Sequence, residues 1–252
     1  MKNLKKPLIF SLVMLPVAAI GGYFVAYYQF GMYDEATIQA IINQMGSLKK
    51  VAVIAVAQSV LYACGLGFFG YLLSEKLALM RPFRFGGKPL ARTVLVSVLF
   101  GILFSLDYWT FGKWIPNLNI AATTAAGLSV AGWLGAIFYG GIIEEVMMRL
   151  FLMSFFAWVL WKLFFKKAET VPECVVIIAN VLAALLFAAG HLPATVAFFG
   201  KLTPLIVFRC FLLNGFFGLF FGRLYRTYGI QYAMLAHALL HIVSKLVWTI
   251  FL

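Results

Sequence analysis

The sequence contains few charged residues, and acidic residues are the rarest of these. Charged side chains make up 11% of the chain against 64% hydrophobic side chains, and 8 aspartates and glutamates stand against 20 lysines and arginines. Soluble globular domains are close to half apolar and a quarter charged. This composition excludes an ordinary soluble domain and indicates a membrane protein.

Several binding and catalytic signatures are missing as well. The three cysteines, Cys64, Cys174 and Cys210, are odd in number and far apart, so they form neither a disulfide framework nor a CxxC metal site. No glycine-rich phosphate loop or RNA-binding aromatic signature accompanies the net charge of +12. Lysines and arginines cluster instead at the ends of apolar runs, which is typical of topology signals and anionic lipid contact. We therefore expect membrane lipids as partners and no nucleic acid.

The hydrophobic residues form recurring runs, most of them near the ~20 residues that a membrane helix requires. The predicted membrane helices cover residues 8–30, 51–73, 93–106, 125–165, 174–191, 204–225 and 230–252. The first run is too long for a signal peptide and is expected to remain as a spanning helix. Asp34 is a predicted N-cap for a short amphipathic helix over 35–45 that suits the membrane surface. Residues 125–165 exceed one ordinary span, and Gly140-Gly141 is the expected bend.

These runs predict an all-α fold, a polytopic membrane bundle of seven to eight transmembrane helices around an intramembrane polar cavity. We expect a single membrane-embedded domain over 1–252, in which 1–124 supply the N-terminal helices and 125–252 the helices that carry the polar motifs. Loops on the N-terminal side hold most of the lysines and arginines, so the positive-inside rule places the N-terminus in the cytoplasm. The expected location is a bacterial cytoplasmic membrane.

An acidic pair and an arginine interrupt the longest apolar run. Charged side chains at membrane depth are costly and persist where they face a protein interior or a wet cavity. On a helix, Glu145 and Arg149 are four residues apart and can form an ion pair. Glu144 points about 100° away from that pair. Glu145 and Arg149 are therefore predicted to be structural, and Glu144 is left free for chemistry.

The three histidines of the chain also lie in apolar surroundings. His237 and His241 are four residues apart on the last helix, a spacing that lets both imidazoles reach one point. His191 follows Phe187 by one turn and precedes Pro193, so it is either a site residue or a ring that caps a helix end. A carboxylate for these histidines has to come from elsewhere in the chain, because the pattern HExxH of zinc proteases is absent.

Other intramembrane protease signatures are missing too. The chain has no Gly-x-Ser-Gly element of the rhomboid type. Paired intramembrane aspartates of the presenilin type are also missing, because Asp34 and Asp107 lie at the ends of predicted spans. Arg209 and Asn214, inside another apolar run, either line a cavity or satisfy each other.

Taken in order, the polar motifs resemble those of the CAAX prenyl endopeptidase family, also called CPBP or Abi intramembrane proteases. The motifs read Glu144-Glu145…Arg149, Phe187…His191, the glycine-rich segment 214–225 and His237…His241. The resemblance covers about residues 140–244, and the preceding helices match only in being hydrophobic. The chain departs from the pattern at His241, where many members have asparagine.

The resemblance implies a hydrolase, an intramembrane peptidase with a conical cavity. It would cleave membrane-associated protein or peptide substrates, near the C-terminus of prenylated proteins or elsewhere. By resemblance, Glu144 is the general base that activates water and His191 assists it. His237 and His241 would hold the oxyanion or a metal ion. The implied supporting residues are Glu145, Arg149, Phe187 and Asn214.

The departure at His241 leaves two mechanisms open, because histidine serves either as a metal ligand or as a hydrogen-bond donor. In the first, zinc held by Glu144, His191, His237 and His241 activates its bound water, as in a metalloprotease. In the second, no metal is needed. Glu144 takes a proton from water and the histidines stabilise the tetrahedral intermediate, as in a glutamate protease.

Two other classes of function fit the same residues. A proton-coupled transporter would use the glutamate and histidines as a relay. That class predicts inverted repeats or broken helices in both halves, whereas the polar groups occur only in the second half. A non-catalytic membrane scaffold, such as an immunity protein, would tolerate loss of the whole polar cluster.

Overall fold

The structure, a computed structural model, describes residues 4–115, 118 and 120–252. This part of the chain contains helices and no strands. Its helices are α1 Lys5–Phe30, α2 Glu35–Met45, α3 Leu48–Lys76, α4 Gly87–Trp114, α5 Ile120–Leu128, α6 Val130–Phe164, α7 Glu173–Phe199, α8 Pro204–Tyr228 and α9 Ile230–Phe251. Seven of them, all but α2 and α5, are long and apolar enough to cross a membrane. The predicted all-α membrane bundle is confirmed.

The predicted surface helix is present as α2, between the first two spans. The Asp34 carboxylate accepts a hydrogen bond from the Thr37 backbone amide at 2.7 Å, which caps the helix as its sequence predicts. None of its residues is buried. This helix therefore adds nothing to the core of the bundle, in keeping with a place at the membrane surface.

The long apolar run over 125–165 is divided before α6. The break falls at Ser129, whose hydroxyl accepts from the Gly132 amide at 3.0 Å and starts the new helix. The expected bend at Gly140-Gly141 is absent as a helix break, because these glycines lie inside a π-helical stretch, Gly135–Glu144. Their small size serves another purpose. The glycine at 141 lets α9 approach so closely that a Cβ there would be 2.8 Å from the Ala238 Cβ.

The third span is longer than the sequence indicates. Pro89 suggests a loop up to residue 92, yet the helix starts at Gly87 and continues to Ser105, followed by the turn Leu106–Tyr108 and the short helix Phe111–Trp114. Proline fits within the first turn of a helix because its missing N–H has no intrahelical partner there. The prediction of a short span was wrong for this reason.

The last helix, α9, lies at the centre of the packing. It packs against α4, α6 and α8, while α1 packs against α3 and α6, and α7 against α6 and α8. Small hydroxyl side chains line several of these contacts, as is usual where membrane helices approach closely. For example, the Tyr225 hydroxyl lies 2.8 Å from the hydroxyls of both Ser154 and Ser74, which joins α8 to α6 and α3.

Candidate active site

Helix α6 carries the acidic pair at the junction of two π-helical stretches: Glu144 ends the first, Gly135–Glu144, and Glu145 precedes the second, Val146–Met153. Widened helical turns of this kind are rare and are frequent at functional sites. The two carboxylates have different surroundings. The Glu145 side chain is fully buried, whereas that of Glu144 keeps 15% of its surface exposed.

Glu145 is the point where three helices meet. Its Oε1 lies 3.1 Å from Arg149 Nη1, so the predicted ion pair is present. The same oxygen lies 2.8 Å from His237 Nδ1 on α9. Arg149 Nη2 in turn donates to the Gly218 carbonyl on α8 at 2.9 Å. The acid therefore connects α6 to α9, and the arginine connects it to α8.

Aromatic rings complete the environment of the buried arginine. The Arg149 guanidinium carbon lies 4.9 Å from the centre of the Phe187 ring and 5.6 Å from that of Phe221. Such cation–π contacts gain strength where water is excluded. Gly218 is required beside them, because a Cβ there would stand 2.8 Å from Arg149 Nη2. Phe187 contacts the His191 ring, with centroids 4.7 Å apart, and also packs on Arg149.

His237 is oriented by the contact that it makes with Glu145. A carboxylate only accepts hydrogen bonds, so Nδ1 of His237 donates to it and Nε2 points away. The ring stacks on Phe221, with centroids 4.5 Å apart. Its Nε2 lies 3.1 Å from His241 Nε2 and 4.0 Å from Glu144 Oε2. Two of the predicted catalytic side chains, Glu144 and His241, therefore lie beside the Nε2 atom of a third, His237.

Gly140 makes room for this arrangement on the opposite helix. A Cβ at Gly140 would lie 3.1 Å from His241 Nε2 and 3.9 Å from His237 Nε2. The glycine pair before the acids therefore allows the two histidines of α9 to come close to the helix that carries Glu144.

His191 lies at the break within α7. The first part of the helix, Glu173–Gly190, ends there, and Leu192–Phe199 continues after it. Its Nδ1 lies 2.8 Å from the Phe187 carbonyl oxygen and donates to it, which leaves Nε2 without a proton in the neutral ring. The ring therefore caps a helix end, and the residue also lines the cavity described next. The ring contact at the helix end is therefore present as predicted, and the role of His191 as a site residue stays a prediction.

A cavity of about 290 Å³ contains the predicted site. The predicted residues that line it are Glu144, Phe187, His191, Asn214, His237 and His241. Glu145 and Arg149 do not line the cavity and lie behind its wall. The lining comes from the halves of the spans that lie on the side of the bundle opposite the N-terminus.

Three further charged groups line this cavity, Asp107, Arg209 and Lys245. The sequence interpretation missed Lys245 and placed Asp107 at the end of a span, whereas Arg209 was a candidate for the cavity lining. Arg209 pairs with Asp107, its Nε donating to Oδ1 at 2.7 Å, whereas Asn214 donates to the Cys210 carbonyl at 2.9 Å. Arg209 and Asn214 therefore line the cavity without satisfying each other. The sequence feature that pointed to the histidines, a polar group inside the last apolar run, applies to Lys245 as well.

The residues as placed do not form a metal site. Among the residues that the structure describes, no group of three or more histidines, cysteines, aspartates and glutamates could hold a metal ion. The Nε2 atoms of His237 and His241 contact each other, and both Nδ1 atoms of His191 and His237 have partners in the protein. The predicted zinc ion stays a prediction, and no reaction step is assigned to it.

Comparison with known protein families finds a match. Residues 126–243 match the family model of the type II CAAX prenyl endopeptidases, Rce1-like. This segment runs from α5 into α9 and contains all the acidic and histidine residues of the cavity except Asp107. The match covers just under half of the chain and contains all the predicted site residues, so the resemblance inferred from its motifs is confirmed over this segment. The family implies a CAAX-type intramembrane protease. Neither a curated protein nor a solved structure matches the chain.

Proposed function

We propose that the protein hydrolyses a peptide bond of a membrane-associated substrate inside this cavity, with Glu144 as the general base. The observation that carries the proposal is the distance of 4.0 Å between Glu144 Oε2 and His237 Nε2. That separation is too long for a direct hydrogen bond and suits one water molecule placed ~2.8 Å from each atom. A water in this position has a carboxylate oxygen to accept its proton.

In the proposed reaction, Glu144 removes a proton from the water as its oxygen attacks the carbonyl carbon of the substrate. The proton then passes from Glu144 to the amine as the carbon–nitrogen bond breaks, which yields a carboxylic acid and an amine. His191 lines the same cavity, and its Nε2 carries no proton, so it is available as a second proton acceptor. Glu145 holds His237 in position and does not exchange protons with the substrate.

The developing oxyanion needs a hydrogen-bond donor. Since His237 donates through Nδ1 to Glu145, its neutral ring accepts at Nε2, and the proton between the two rings belongs to His241 Nε2. We propose that this N–H turns from His237 to the carbonyl oxygen when substrate enters, which frees His237 Nε2 to accept a hydrogen bond from the attacking water. An asparagine amide at the same position would supply an equivalent donor, so this mechanism accommodates the departure at His241.

The test is cleavage of a membrane-tethered peptide by purified protein in lipid nanodiscs, read by mass spectrometry. Glu144→Gln is expected to lower kcat by about 10²- to 10⁴-fold, since it removes the base. His241→Ala is expected to lower kcat by about 10²- to 10³-fold, as loss of an oxyanion donor does. Glu169→Gln makes the same chemical change at an exposed position and is expected to retain full activity.

Full activity of a folded Glu144→Gln protein would remove Glu144 from the mechanism. The outcome also separates the other function classes, because a transporter or scaffold cleaves no peptide in any variant. Zinc is tested in the same preparation by metal analysis and by treatment with a chelator. The metal-free reaction is expected to continue in the chelator, and loss of activity that added zinc restores would favour the metal-dependent mechanism.

A further inference from the structure

Lys245 is a buried cation in the wall of the cavity that the proposed reaction does not use. It lies on α9, one helical turn beyond His241, and only 4% of its surface is exposed. Its Nζ donates to the Gly127 carbonyl at 2.7 Å and lies 5.5 Å from the centre of the Tyr28 ring. Within the described residues, no carboxylate lies within 4.0 Å of this ammonium.

The charge of this lysine is incompletely matched by the protein. An ammonium group has three N–H donors, and one of them has a protein acceptor here. Arg209, another cation of the cavity wall, differs in this respect because Asp107 neutralises it. A charged side chain at membrane depth is costly without a counter-charge, and such groups persist where they face a cavity that receives a ligand. The lysine is therefore suited to an anion that arrives from outside the protein.

The position of Lys245 along α9 relates that anion to the proposed reaction. With a rise of 1.5 Å per residue, the lysine lies about 6 Å from His241 and about 12 Å from His237 along the helix axis. An extended peptide covers about 3.3–3.6 Å per residue. A peptide whose reacting carbonyl lies at the histidines would therefore place a group two or three residues away beside Lys245.

We propose that Lys245 binds a carboxylate of the peptide substrate, two or three residues from the bond that is cleaved, and so determines specificity. The proposal rests on the proposed peptidase function. It names the chemistry that is recognised, a carboxylate, which either the C-terminus or an acidic side chain of the substrate can supply.

A structural role for the same lysine makes a different prediction. Gly127 lies in the last turn of α5, where a cation stabilises the free carbonyl groups of the helix end. Loss of this contact lowers stability and affects all substrates alike. A specificity role instead changes the relative rates of charged and neutral substrates.

The experiment compares three peptides in nanodiscs of zwitterionic lipid, two of identical sequence and a third that differs by one substitution. One ends in a free carboxylate, one in a carboxamide, and one ends in a carboxamide but carries aspartate near the cleaved bond. The wild-type protein is expected to cleave a carboxylate-bearing peptide with a kcat/KM about 10- to 100-fold above that of the neutral peptide, the range for a hydrogen bond between charged groups. Of the two peptides that carry a carboxylate, the one with the higher kcat/KM shows whether the C-terminus or the side chain supplies it.

Variants assign the preference to the lysine. Lys245→Met is expected to cleave all three peptides at the rate of the neutral one, and Lys245→Arg to retain part of the preference. Lys201→Met changes an exposed lysine on the same side of the bundle and is expected to keep the full preference. Equal rates for the three peptides with wild-type protein, or a preference that survives in Lys245→Met, would overturn the proposal.

Binding provides a second measurement that does not depend on turnover. The affinities of Glu144→Gln protein for the carboxylate and carboxamide peptides are compared with and without Lys245→Met. A Lys245-dependent affinity difference supports the carboxylate site even if no variant cleaves peptide, in which case the peptidase function alone fails. Lys245-dependent retention of an anionic lipid, with no discrimination between the peptides, would show a headgroup site and overturn the proposal. If Lys245→Met does not fold, the Lys245→Arg protein and the peptide series with wild-type protein decide the question.

Discussion

Replacement of Glu145 by alanine separates the structural acid from the proposed catalytic one. The two glutamates are neighbours on α6, yet Glu145 has the ion pair with Arg149 and the hydrogen bond with His237, whereas Glu144 has neither. Its removal leaves Arg149, which is 1% exposed, with the Gly218 carbonyl and two aromatic rings as its remaining partners. Breaking one partner out of a buried ion pair costs about 3–5 kcal/mol, because the other charge remains buried.

That cost converts into a large change in thermal stability. For a chain of this size, each kcal/mol shifts Tm by about 2–4 °C, so Glu145→Ala is expected to lower Tm by about 6–20 °C. Glu144→Ala removes a side chain that is 15% exposed and 4.0 Å from its nearest imidazole, so we expect a change of less than about 3 °C. The assay is thermal unfolding in one detergent, followed by tryptophan fluorescence.

A double variant tests the cause of the loss. Glu145→Met combined with Arg149→Met removes both charges and keeps similar volumes, and buried pairs replaced in this way are often neutral or more stable. We therefore expect it to regain much of the Tm that Glu145→Ala loses, although His237 still lacks its carboxylate partner. Equal Tm values for the Glu145→Ala and Glu144→Ala proteins would refute the reasoning, as would a double variant less stable than Glu145→Ala.

The remaining predictions concern helix packing and orientation. Gly141→Ala places a Cβ 2.8 Å from a side chain of α9, so it is expected to lower the free energy of unfolding by about 1–3 kcal/mol and to lower Tm. Gly190→Ala is the matched control, because a Cβ there meets no atom within 4 Å. A Tm for Gly141→Ala equal to that of the control would contradict the close approach of α6 and α9. The orientation is tested with a membrane-impermeant maleimide. The positive-inside rule predicts that this reagent labels a Trp114→Cys protein in intact cells. The exposed native Cys174 lies at the opposite end of the bundle and is expected to react only after lysis. The reverse pattern would place the N-terminus outside and turn the cavity towards the cytoplasm.

The sequence by itself determined the membrane class, the approximate spans and the polar residues that are proposed to carry the chemistry. Each of these is a local property. A run of apolar residues has to form a helix in lipid because its backbone groups have no water to bind. A polar group inside such a run is expensive enough to stand out. The Glu145–Arg149 pair was predictable for the same reason, since its two members share one helix.

Only the tertiary structure decided which of these groups meet. The contact between Glu145 and His237 joins positions 92 residues apart, and that between Arg209 and Asp107 joins positions 102 apart. The sequence indicated only that Asp107 lies at the end of a span, and the packing of α8 places Arg209 against it. Lys245 gained its significance only when α9 brought it into the wall of the cavity beside the histidines. Such contacts depend on the depth and the rotation at which each helix packs. Glycines such as Gly140 and Gly218 set the distance between two helices, and they do so only where the neighbouring helix is present. The spacing of residues along the sequence does not indicate which helix will be that neighbour.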